Sequence, residues 1–222
     1  MTKILSLNIR IWTRDLKKSG AHYWKDRYRA IRQYIFSENP AVICLQEVWF
    51  PAMWVLRLRS LGYKRTGCGF SHPIYVRQGT KVRKHCTSIY CTTAIVDGVQ
   101  YFSIHAHWNE KRFHRAIEWI RKKRLQFYDL THWACIVAGD FNTSDTAKIH
   151  DLTALYSARE KLGLTAVDTF RNYTKPESHG EIDHFFYEFL KIYPQTYHVY
   201  SGTEDLSDHS PITMIFKTYD KK

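Results

Sequence analysis

Apolar and polar positions alternate along this chain in blocks of two kinds. Short apolar runs of strand length, "KILSLNI", "PAVICLQEVW" and "CIVAGD", carry β-branched residues and read as strands covered on both faces. Between them, Trp24, Tyr28, Ile31 and Ile35 recur every three to four residues, which predicts an amphipathic helix over 24–36. Pro51 suits the first turn of a following short helix, and Gly62 after "LRSL" suits the position just past a helix end. "SIYCTTAIV" and "VQYFSIHAHW" flank Asp97-Gly98, a dipeptide favoured in the two-residue turn of a hairpin. A basic helix follows over 110–124, then the buried strand from Cys135. There Gly139 is read as the point where the backbone turns, with Ser144 or Asp145 as a helix cap. A further helix is expected over 146–162, and "GEIDHFFYEF" and "SPITMIFKTY" close the chain as strands. Hairpins mixed with helical crossovers point to two sheets with helices outside them rather than a doubly wound parallel sheet.

Composition changes this picture little, but charge changes it more. The 222 residues, 44% of them hydrophobic, suit one large domain spanning 1–222, with no linker or repeat. The first residues lack a charged region before a long apolar run, so neither a secretory signal nor a membrane span is expected. Five cysteines include Cys44 and Cys135 inside strand patterns, read as buried thiols. Cys68, Cys86 and Cys91 lack the spacing of a structural zinc site, and a reducing, cytoplasmic setting is the expectation.

The formal net charge is +12, which favours a phosphate-rich partner over an apolar one. Two segments concentrate it. Tyr75 to His85 carries five basic residues, counting His85, on an expected loop or hairpin, and Glu110 to Arg124 carries seven on the basic helix. Arg77, Lys81, Arg83, Lys84, Lys111 and Arg112 are the candidate nucleic-acid contacts. Solvated faces would explain the same runs.

Six strand-like runs end in a polar residue: Asn8; Gln46 and Glu47; His105 and His107; Asp140 and Asn142; Asp183; Asp208 and His209. A single ending has a bland explanation, a capped turn or a satisfied amide. Six that carry only Asn, Gln, Glu, His and Asp suggest one convergent site on the rim of a rigid scaffold. At most one of His105 and His107 is expected in the site, His107 being the weaker candidate.

In order, "SLNIR", "CLQEVW", "SIHAHW", "GDFN", "GEIDHFF" and "LSDHSPI" resemble the motifs of the endonuclease/exonuclease/phosphatase superfamily, which includes pancreatic deoxyribonuclease, the apurinic endonucleases and the inositol-polyphosphate phosphatases. The resemblance implies a four-layer αββα sandwich of two mixed, mostly antiparallel sheets with helices on the outer faces. It also implies a divalent cation, Mg2+ or in its place Mn2+, held by Glu47 with Asn8 and Asp208 nearby. By the same resemblance Asp140 orients or deprotonates the attacking water, and Asn142 holds that water or a phosphate oxygen. His209 contacts the phosphate, Asp183 fixes and charges its ring, and His105 is a proton donor to the leaving oxygen. The stretch between Glu47 and His105 is shorter than in many family nucleases, and residues 9–35 look more like the family's small hydrolases. The leading expectation is a metal-dependent nuclease acting on DNA or RNA, as a monomer. A hydrolase of a small phosphorylated metabolite or lipid head group is the alternative, and a non-catalytic nucleic-acid-binding module ranks third.

Overall fold

The computed structural model describes residues 1–10, 24–48, 50–66, 71–132, 134–171, 179–200 and 206–219, the side chains of 24, 25, 50 and 51 excepted. In chain order the elements are β1 (Thr2–Asn8), α1 (Trp24–Glu38), β2 (Val42–Gln46), α2 (Phe50–Leu56), a 3-10 turn (Leu58–Leu61), β3 (Tyr63–Thr66), β4 (Ile74–Arg77), β5 (Val82–Thr87), β6 (Cys91–Val96) and β7 (Val99–His105). There follow α3 (Glu110–Gln126), α4 (Tyr128–Thr131), β8 (Cys135–Asp140), α5 (Thr146–Thr153), β9 (Tyr156–Ser157), α6 (Ala158–Lys161), β10 (Phe170–Arg171), β11 (His179–Gly180), β12 (Asp183–Tyr187), β13 (Ile192–Val199) and β14 (Ile212–Thr218).

Two six-stranded sheets result, in the orders β13-β14-β1-β2-β4-β3 and β5-β6-β7-β8-β12-β9, with β10 and β11 as a small separate ladder. Each large sheet has one parallel pair at its centre, β1 with β2 and β7 with β8, among antiparallel neighbours. Alternate side chains divide between two faces. Ile4, Val42 and Cys44 meet Ala94, Ile136, Ala138 and Phe185 in the core between the sheets. Leu5, Leu7, Ile43 and Leu45 turn the other way onto Tyr28, Ile31 and Ile35 of α1 and Ala52 and Leu56 of α2. On the second sheet Phe102, Ile104 and Val137 cover Phe113, Ala116, Ile117 and Ile120 of α3 and Ile149 of α5. The architecture is therefore the expected αββα sandwich. Apolar burial on both faces of each sheet explains why the central strands read as unbroken apolar runs.

The Asp97-Gly98 hairpin forms as expected, with φ of 49° and 80° and Val96 paired to Val99. Gly62 adopts φ 84° just after the 3-10 turn. Trp24 opens α1, but its side chain lies outside those described, as do residues 11–23 and Cys68. Cys44, Cys91 and Cys135 are buried free thiols and Cys86 is half-buried.

Three expectations change. Of the loop or hairpin expected over Tyr75 to His85, the loop forms between Arg77 and Val82 but the hairpin does not: β4 belongs to the first sheet and β5 to the second, so the segment crosses between them. The helix over 146–162 is two pieces. Thr153 Oγ1 donates to Ile149 O at 2.6 Å and accepts from Leu155 N at 3.1 Å, and Ala154 turns left-handed at φ 56°, which ends α5 and frees Tyr156–Ser157 to pair with β12. Gly139 is no sharp turn either, since β8 runs through it to Asp140. Its φ of 144° and a carbonyl pressed against it call for glycine, for a Cβ there would stand 2.0 Å from Ile104 O. Strands β3 and β13 had no clear sequence signal, and both are sheet edges. β13 holds Pro194 at a register shift, a place where a missing N–H donor is tolerated. No described helix is long and apolar enough to cross a membrane.

Candidate catalytic site

Strand register gathers the polar endings. The parallel strands β1 and β2 finish side by side, Asn8 opposite Gln46, and β7 and β8 finish with His105 opposite Asp140. β12 runs against β8 and begins with Asp183 opposite Asp140. β14 runs against β1 from Ile212 opposite Ser6, so the preceding Asp208 and His209 arrive at the same end. The two sheets meet there directly, because Asn8 Nδ2 donates to Glu47 Oε1 at 2.9 Å and to Asp140 Oδ2 at 3.0 Å.

Backbone strain helps to aim these groups. Glu47 and Asn142 both hold φ near 52°, a left-handed conformation uncommon outside glycine. Asn142 N–H donates to Asp140 Oδ1 at 2.8 Å, and its Nδ2 donates to Ala106 O at 2.7 Å. His105 Nε2 stands 3.6 Å from Glu47 Oε1 and 3.7 Å from Asp140 Oδ2. His209 Nδ1 is bonded to Asp183 Oδ2 at 2.8 Å, while its Nε2 lies 3.8 Å from Asp140 Oδ2. The helix-cap reading of the loop also holds: Asp145 accepts Lys148 N–H at 2.8 Å, so the stretch carries both a cap and a site.

The electrostatics are those of crowded, buried acids. Burial pushes the Asp140 carboxyl up to about 6, an effect that the His209 charge opposes and the Asp183 charge reinforces. Burial alone would depress His209, but the charge of Asp183 and the bond to it, with Asp140 and Asp208 nearby, raise the imidazole to about 10. Burial also raises the Asp208 carboxyl, against the pull of His209 and Arg10.

The donor set accommodates a divalent cation. Glu47, His105 and Asp140 each offer a ligand atom, all within 4.8 Å of one another. The Asp183 Oδ1 atom is buried without a hydrogen bond, while its Oδ2 is held by His209. Carboxylate oxygens and no thiolate suit a hard cation, and where Glu47 holds it Asp140 and His105 stand beside it with atoms left for proton transfer. Asn8 turns its NH2 toward the carboxylates, with its Oδ1 accepting Arg10 N–H at 2.9 Å, so as placed it positions those acids.

Other residues separate from the cluster. Gln46 points between the sheets, bonded to Ser6, Cys44 O and Ser103. His107 lies outside, beside Asn109 and Arg112. Lys111 and Arg112 lie in the first turn of α3, which begins at Glu110 shortly after β7 ends at His105. Arg77, Lys81, Arg83 and Lys84 do not reach it: β4 pairs Val76 with Val42 and β5 pairs Val82 with Val96, at the far ends of both sheets. His105 lies six residue steps along β7 from Val99, the partner of Val96, which is about 20 Å of strand. These four cations thus stand at the opposite pole. Arg124 of the basic helix is buried, bonded to Thr153 O and Glu188.

Several residues with no sequence signal complete the setting. Arg10 is ion-paired with Asp208. Arg27 of α1, almost fully buried, donates to Ile9 O, Arg10 O and Leu206 O, tying the ends of β1 and the 206–209 segment to the helix. Thr169 Oγ1 accepts the N–H groups of Ile182 and Asp183, and the Phe170 ring packs 5.0 Å from that of His209. An arginine on a helix reads as solvated until the fold buries it.

The fold and the sequence agree with known proteins. An endonuclease/exonuclease/phosphatase protein of Bacteroides vulgatus is 18% identical, with a TM-score of 0.80 over 98% of this chain and 99% of that one. The mannosyl-6-phosphatase Bt3783 of Bacteroides thetaiotaomicron is 18% identical, with a TM-score of 0.79 over 98% and 100%. TDP2 of D. rerio, solved with a single-strand DNA product, is 20% identical, with a TM-score of 0.73 over 98% and 99%. At these identities the likeness is one of fold. No curated protein sequence matches the chain. The sequence model of the Endonuclease/Exonuclease/phosphatase family, however, matches residues 12–209, a span that takes in the strand-end acids and histidines from Glu47 to His209, and on that match the chain belongs to this family of phosphate-ester hydrolases, typically dependent on divalent metal.

Proposed function

We propose that this protein is a Mg2+-dependent phosphodiester hydrolase that cuts nucleic acid, DNA or RNA, by water attack on phosphorus. The observation that carries the reading is the convergence of Glu47, Asp140 and His105 around one point, with the His209–Asp183 pair 3.8 Å from the same Asp140 oxygen. Glu47 would hold the cation, with Asn8 and Asp208 close by and Mn2+ as a substitute. When bound, it neutralises charge on phosphate oxygens and acidifies water.

The rest falls to the chain's own side chains. Asp140, raised to about 6 yet ionised at neutral pH, takes the proton of the attacking water. Asn142, fixed through Ala106 O and Asp140, orients that water or a phosphate oxygen. His209, kept cationic by Asp183, donates to the phosphate as negative charge grows on it. His105 stands where it can deliver a proton to the leaving alkoxide. The +12 charge supports a polyanionic substrate.

A second reading keeps the site and changes the substrate to a small phosphorylated metabolite. Two observations favour it: Arg77, Lys81, Arg83 and Lys84 stand at the opposite pole, and a mannosyl-6-phosphatase shares the fold. Turnover with Mg2+ and with chelator on single-stranded DNA, supercoiled DNA, structured RNA and a generic phosphodiester separates the two. Metal-dependent cleavage of a polymer is the expected result. Activity confined to the small ester would overturn the nuclease reading and leave the second.

A further inference from the structure

Just outside the catalytic cluster, two hydrogen-bond donors face each other. Asn109 N–H donates to His107 Nδ1 at 2.9 Å, so the proton of the neutral ring sits on Nε2. Arg112 Nη1 stands 3.1 Å from that same Nε2, and a guanidinium can only donate. The pair crowds two N–H groups against each other, an arrangement relieved when the side chains part slightly and an anionic oxygen beside them accepts from both. Among the described residues no carboxylate pairs with Arg112. The nearest in sequence, Glu110, is engaged by His114 and Lys148.

An aromatic face adjoins this anion position. Trp108 is 78% exposed, a large value for the most apolar-bodied of side chains, and its ring lies 5.0 Å from that of His107 at 35°. The exposed Lys111 adds a further positive charge. The segment is bolted to the catalytic floor, since Ala106 N–H donates to Asp140 O at 2.8 Å and Ala106 O accepts from Asn142. His107 and Trp108 thus follow directly on a residue bonded to Asp140 and Asn142.

We propose that His107, Trp108, Lys111 and Arg112 form a subsite for the nucleotide next to the scissile phosphate of a single strand. A phosphate oxygen accepts from both Arg112 and the Nε2–H of His107, which part to admit it, and the base stacks on Trp108. The inference rests on the nuclease reading above and narrows it: a base must leave a duplex to lie on the ring, and a substrate with a single phosphate would leave the second anion position empty.

The test is binding of a fluorescein-labelled single-stranded DNA octanucleotide, followed by anisotropy in chelator over a salt series. Trp108→Ala is expected to weaken binding about five- to a hundredfold, as loss of one base–aromatic stack does. Arg112→Gln is expected to reduce the slope of log affinity against log salt by about one. Unfolding midpoints of both variants equal to wild type show that the change is local. Wild-type binding by both variants, or equal losses for the octanucleotide and for heparin, would overturn the subsite. Metal-dependent hydrolysis of bis-p-nitrophenyl phosphate by the wild type, measured beside it, keeps the two questions apart. Activity there with unaltered octanucleotide binding by the variants defeats the subsite alone, while a wild type inert on every ester and polymer defeats the reading beneath it.

Discussion

His209 Nδ1 lies 2.8 Å from Asp183 Oδ2, a bond that joins the two sheets at their shared end alongside that of Asn8 to Asp140. Asp183 opens β12 of the second sheet, and His209 precedes β14 of the first. The acid sets both the direction of the ring and its charge. Asp183→Asn keeps the shape and removes the charge, so His209 loses protons at lower pH. Turnover is expected to fall about a hundredfold, within the range for a displaced acid–base group, with the loss largest at alkaline pH. A pH–rate profile unchanged from wild type would count against the role given to this pair.

Glu47 and Asp140 share the NH2 of Asn8, yet their substitutions should separate. Glu47→Gln should raise the concentration of Mg2+ needed for half-maximal turnover, because it removes a charged oxygen ligand. Asp140→Asn should lower kcat at saturating metal and leave that concentration little changed. Metal titrations of activity on both variants distinguish the outcomes, and full activity in either would remove that residue from the site.

Gly139 offers a check on the scaffold rather than the chemistry. Its φ of 144°, and the Ile104 carbonyl oxygen 2.0 Å from where a methyl group would sit, leave no room for alanine. Gly139→Ala should cost about 3 kcal/mol or more, from overpacking added to backbone strain. Urea unfolding of the variant measures this, and a midpoint within error of wild type would show that β7 and β8 can separate at no cost.

His72 makes stability depend on acid pH. Burial, which outweighs its bond to Ile89 O, lowers this imidazole to about 4. Between that value and the ordinary 6.5 the unfolded chain binds the proton and the folded chain does not, so stability falls as pH falls through this window. The contribution is about 2 kcal/mol lost on going from about pH 7 to about pH 5. His184, also lowered by burial, acts in the same direction, and His209, raised, acts in the opposite one. The measurable quantity is therefore a difference: the drop in unfolding free energy between pH 7 and pH 5 should be smaller in His72→Gln than in wild type.

The order of strands and helices was largely legible because each face that meets the core writes its own period. Val42 to Gln46 and Cys135 to Asp140, covered on both sides, read as continuous apolar runs, and α1 as a stripe of Tyr28, Ile31 and Ile35. The polar endings were legible as well, since a carboxylate such as Glu47 at the close of such a run is costly without a partner. What the chain alone could not convey was register and sheet membership. Hydrogen bonds between strands far apart in sequence decide that Gln46 bridges the sheets while Glu47 enters the site, one residue on and turned by a left-handed φ. The crossing of β4 to β5 between sheets likewise decides that Lys81 and Arg83 stand at the far pole while Arg112 follows the end of β7. Local pattern determines which residues are buried or exposed in an element. Only the pairing of distant strands determines which of those residues meet, because a side chain's partners are set by the register of the backbone that carries it.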